Sequence, residues 1–107
     1  MSSHEDFLLA ESPNFEIRGC YERTVLVDKA AGTKSPICEM YGDPEGALID
    51  NDERFAVVYG CGAVVCYMAD GAVREISSEW IDSARQISTE EIELVFEDGG
   101  RAVVKIL

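Results

Sequence analysis

The sequence predicts an all-β fold, mainly antiparallel: a small sandwich or partly open barrel of about eight short strands. Two observations carry that expectation. Stretches rich in β-branched residues recur along the chain and run into glycine-centred turns, as in "VLVDKAAG", "VVCYMADG" and "ELVFEDGG". Where a hydrophobic period is clear, it is two residues rather than 3.6. One or two short helices complete the picture, and residues 1–107 read as a single domain.

At the start, "HEDFLLAE" (4–11) has Ser3 as a candidate N-cap and acids in its first turn. Residues 1–12 are therefore expected to be loosely ordered or a short helix. The first hairpin follows. "RTVLVDK" (23–29) runs into a turn at Gly32, and "SPICEMY" (35–41) returns, with Pro36 marking an edge or a strand start.

"DPEGALIDNDE" (43–53) reads as a solvated acidic loop with Asx turns. It lacks the glycine of a calcium loop and leads straight into a strand.

"RFAVVYG" (54–60) and "AVVCYM" (63–68) predict the second hairpin. With Cys61-Gly62 as a two-residue loop, Tyr59 pairs with Val64 and Val57 with Cys66. Phe55, Val57, Tyr59, Val64, Cys66 and Met68 then share one face. The opposite face is also apolar, so this pair of strands belongs in the middle of the fold, covered on both sides.

Asp70-Gly71 supplies the next turn, leading into "AVREI" (72–76). "SSEWIDSARQ" (77–86) sets Trp80, Ile81 and Ala84 at helix-like spacing behind a serine cap, which predicts a short helix. Ser88 and Glu91 match a capping box. The strict alternation of Ile92, Leu94 and Phe96, followed by Gly-Gly, overrides it and predicts a last hairpin with "RAVVKIL" (101–107). The first interval between glycine turns resembles that of propeller blades, but the second is shorter and the WD dipeptide is absent.

Charge narrows the function. Twenty-one acidic residues oppose nine basic ones, for a net charge of -12. Such a field repels nucleic-acid phosphates and anionic membrane surfaces, so neither is an expected partner. The acidic N-terminus and the lack of a long apolar run point to a cytoplasmic protein. In that compartment thiols stay reduced, and Cys20, Cys38, Cys61 and Cys66 do not read as a disulfide framework. Their spacing also lacks the close pairs of a zinc site. Cys66 reads as a buried small hydrophobe and Cys61 as the reactive thiol at a turn. A catalytic cysteine needs a base, and the sole histidine, His4, falls in the N-terminal segment expected to be loosely ordered. No catalytic residue, cofactor or metal is therefore expected.

What remains is a small acidic protein-interaction module, most concretely an inhibitor or immunity-type binder of a basic protein partner. Asp43, Glu45, Asp50, Asp52 and Glu53 form one candidate partner-binding cluster. Glu90, Glu91 and Glu93, continuing to Glu97 and Asp98, form another. Trp80, the only tryptophan, is a candidate binding anchor if it is exposed. The alternatives are a self-associating β module, a homo-oligomer that completes a sheet across subunits, and a small enzyme or ligand carrier.

Overall fold

A computed structural model describes residues 7–40 and 42–107. Among these residues there are nine strands and no helix. The strands are β1 (Phe7–Glu11), β2 (Phe15–Cys20), β3 (Arg23–Asp28), β4 (Thr33–Glu39) and β5 (Gly46–Ile49), followed by β6 (Phe55–Tyr67), β7 (Val73–Gln86), β8 (Glu91–Phe96) and β9 (Arg101–Lys105). All pairings are antiparallel. One sheet has the order β1-β2-β3-β4 and the other β5-β6-β7-β8-β9. The all-β expectation holds.

Both predicted helices are strands. Residues 7–11 form β1, paired with β2, while the rest of the expected N-terminal segment, including His4, lies outside the described residues. Residues 77–86 belong to β7. The helical spacing of Trp80, Ile81 and Ala84 is a coincidence of composition. Trp80 is 48% exposed and its neighbour Ile81 only 2%, which is the side-to-side alternation of a strand. β5 lies inside the stretch read as a loop, where Gly46–Ile49 pairs with Ala56–Tyr59.

β6 is the centre of the molecule. Thirteen extended residues would span about 40 Å. Yet the Met68 amide donates to the Arg54 carbonyl at 2.9 Å, so the two ends of β6 meet. The strand therefore doubles back about Cys61. Its first arm (56–59) pairs with β5, and its second arm (63–66) pairs with β7. The predicted hairpin is present, but the reversal spans Gly60-Cys61-Gly62, with Gly62 at a φ of 102°.

That extra loop residue changes the register and the faces. Phe55, Val57, Ala63 and Val65 share one core, joined by Tyr59 and Tyr67. Ala56, Val58 and Cys66 share the other, joined by Val64 and Met68. Val64 and Cys66 thus face away from Val57, opposite to the two-residue-loop expectation. Burial on both sides is as the sequence predicts.

Each face has its own cover. Ile17, Ile37 and Met40, with Leu9 and Leu26, bring the β1–β4 sheet onto the Val58 side. Ile81, Ile92, Leu94 and Ile106 cover the Val57 side. These come from the second half of β7, from β8 and from the residue just after β9, and this part of the chain folds over the hairpin as a third layer. β7 makes that corner with irregular pairing on both sides, near Ser77 to Trp80 and again near Asp82. Local extra residues of this kind bend and twist a strand. The edge position of Pro36 is as expected: β4 is the outer strand of its sheet, with irregular pairing beside Pro36. The glycine turns at Gly32, Gly71 and Gly99 all have positive φ.

Candidate protein-binding site

The corner of β7 fixes the site. Trp80 sits opposite Cys61, at the tip of the doubled β6, and its carbonyl accepts from the Glu97 amide at 3.1 Å. Ile81 pairs with Phe96, which aligns the end of β8 beside the corner. Because Ile81 turns into the core, Trp80 turns outward. There Trp80 and Phe96 line a shallow cleft of about 360 Å³ together with Glu79, Glu97 and Asp98.

The surrounding residues extend the acidic character. The Glu45 amide donates to the Tyr59 carbonyl at 2.9 Å, and Gly60 lies against the backbone of Asp43, Pro44 and Glu45. Burial pushes the Tyr59 hydroxyl up, and the charges of Glu45 and Asp82 push it further. Asp43, Glu45, Glu79, Asp82, Glu97 and Asp98 therefore gather at the tip end of the hairpin with Trp80. Among the described residues, Glu79, Glu97 and Asp98 form no ion pair. Most cations are committed elsewhere. Arg18 pairs with Glu16, Lys29 with Glu11 and Arg54 with Asp50, while Arg85 and Arg101 share Glu93.

The remaining candidates lie elsewhere. Asp50 through Glu53 sit at the opposite, base end, with Glu90 and Glu91. The Asn51 amide donates to Gln86 Oε1 at 3.2 Å, and the Ile106 amide donates to the Glu90 carbonyl at 2.7 Å. The two sequence clusters do not form one surface: the first is split between the ends, and so is the second.

Asp50 lies inside the base end rather than on its surface. It is only 1% exposed and accepts from Arg54 and Gln86. Burial alone would raise its carboxyl, but hydrogen bonds from Arg54 and Gln86 and the Arg54 charge outweigh that, holding it well below the usual carboxylate range. It is a structural anion, engaged by Arg54 and Gln86 inside the chain. Glu53 is also occupied: it accepts from the Ser12 hydroxyl, from the Asn14 amide at 2.9 Å and from Asn14 Nδ2 at 2.7 Å. These bonds lower its carboxyl and tie the β1–β2 turn to the β5–β6 turn. Glu93, on the third layer, is held by Arg85 at 2.9 Å and by Arg101 at 3.3 Å. Asp52 and Glu90 are exposed at the base.

Sequence reasoning missed Glu79, Asp82 and Phe96. Reading 77–86 as a strand would have found them, because it sets Trp80 outward and places Phe96 opposite Ile81. All four cysteines are free thiols. Cys66 is buried in the core as expected, and Cys61 is half-buried at the hairpin tip. Among the described residues, no group of three or more His, Cys, Asp or Glu side chains is arranged to hold a metal ion, and no helix is long and apolar enough to cross a membrane. Comparison with protein-family models, with curated proteins and with solved structures finds no match.

Proposed function

We propose that this chain is a small acidic protein-interaction module that binds a basic protein partner in the cytoplasm, as an inhibitor or immunity-type binder does. The observation that carries this reading is Trp80: a half-exposed indole beside Phe96, rimmed by three carboxylates that form no ion pair among the described residues. Tryptophan contributes strongly to binding when an interface buries it, and unpaired charge around it steers an oppositely charged partner. The tip end supplies both.

The test is affinity purification from the native cell at low and high salt, with native mass spectrometry of the eluate. A basic protein that is retained at low salt, released at high salt and lost with Glu79→Gln/Glu97→Gln/Asp98→Asn supports the reading. Recovery of the chain by itself overturns it.

One observation favours a second reading, self-association. β9 is an outer strand of its sheet and carries exposed Val103. An open edge of this kind pairs readily with another strand. A symmetric homo-oligomer in the same mass spectra, lost on Val103→Lys, would favour that reading over the binder.

A further inference from the structure

Resting on that reading, we propose that the Trp80 cleft receives an arginine side chain of the partner, with its guanidinium on the indole and its N–H groups on the rim carboxylates. The cleft has two aromatic walls, Trp80 and Phe96, and three acids, Glu79, Glu97 and Asp98. A purely acidic patch attracts any cation without orienting it. An aromatic wall adds a flat surface, and a cation over an indole is held by the ring's quadrupole.

Arginine satisfies both features together. Its guanidinium is planar and weakly hydrated, so it stacks on an aromatic ring while its edge donates to carboxylates. Lysine presents a compact, strongly hydrated ammonium that gives up more hydration to enter the same place. Among the described residues no cation pairs with the rim: Arg85 and Arg101 are both turned to Glu93. Trp80 is placed outward by the corner of β7, with Ile81 as its buried counterpart, so its exposure is built into the fold.

The probe is a blocked Gly-Arg-Gly-Arg-Gly peptide, with lysine and citrulline versions as comparators. Trp80 is the sole tryptophan, so intrinsic fluorescence reports on the cleft directly. At low salt the arginine peptide should change the emission saturably. The lysine version should bind several-fold more weakly, and the citrulline version not at all.

Calorimetry then compares variants. Trp80→Ala, and separately Glu97→Gln/Asp98→Asn, should each weaken binding by about tenfold or more. The double substitution lies at an exposed turn and keeps the test valid if the tryptophan variant unfolds. Equal affinity for arginine and lysine, or unchanged affinity in the variants, overturns the assignment. A basic partner captured from cells and still held by folded Trp80→Ala leaves the module reading standing and removes this one. Capture of no partner removes the module reading whatever the peptide does.

Discussion

Arg54 holds both oxygens of the Asp50 carboxylate, with Nε on Oδ2 at 2.6 Å and Nη2 on Oδ1 at 3.1 Å. Asp50 also accepts from the Arg54 amide at 3.0 Å and from Gln86 Nε2 at 2.7 Å. One buried carboxylate therefore pins the β5–β6 turn to the end of β7, and Arg54 reaches on to the Thr89 carbonyl. Removing one member of a buried pair leaves the other uncompensated. Asp50→Ala is expected to cost about 3 kcal/mol in urea denaturation. Asp52→Asn, which loses only an exposed contact of 4.0 Å to Arg54, should change stability by less than about 0.5 kcal/mol.

The same pair sets the acid limit of the fold. The Asp50 carboxyl is depressed in the folded chain, so its contribution is complete above the unfolded value, about 3.9. As pH falls through that value towards the depressed one, the unfolded chain takes up the proton first, and stability declines. Thermal melts of the parent chain should hold from pH 7 to about 5 and then fall. Asp50→Asn should start lower and lose less between pH 4 and pH 2 in the same series.

Burial pushes the Cys66 thiol up, helped by the charge of Asp70, and burial likewise raises the Cys38 thiol against the hydrogen bond it shares with Thr24. For an acid with a raised folded value, stability is complete below the unfolded value and is lost as pH rises through the folded one. Melting temperature is expected to fall above about pH 8.5. Iodoacetamide labelling followed by peptide mapping should modify Cys66, 3% exposed, last of the four cysteines.

Gly62 is the residue that the doubled strand cannot exchange. Its φ is 102°, and a Cβ there would lie 2.9 Å from the Ser77 carbonyl. Gly62→Ala therefore combines backbone strain with a backbone clash and should cost about 2 kcal/mol or more. Gly32, at φ 68° with open space around it, isolates the strain alone. Gly32→Ala should cost about 1 kcal/mol by the same denaturation measurement.

Much of this architecture was legible in the chain. Alternation in 92–96 predicts β8, the glycine turns predict three reversals, and apolar character on both sides of 55–67 predicts a covered central hairpin. The misses have physical causes. Phe7–Glu11 and residues 77–86 carry too few β-branched residues for their local preference to announce a strand; pairing with β2, β6 and β8 imposes it. The one-residue error in the β6 loop inverted Val64 and Cys66, because side chains alternate at every residue. The site was half-legible. Trp80 and the surplus of acid are visible in sequence, whereas their division between two ends depends on where β7 turns, which is a property of the packed layers.

The doubled β6 also bears on how the chain is made. Synthesis runs from the N-terminus, so the β1–β4 sheet and the hairpin emerge before residues 91–105 exist. Until then the hairpin is covered on its Val58 side only, and Phe55, Val57, Ala63 and Val65 present a bare apolar face. A nascent chain in that state is exposed to aggregation until β8 and β9 close over it. The acidic surplus, carried by the earlier segments as well as the later ones, repels like chains during that interval.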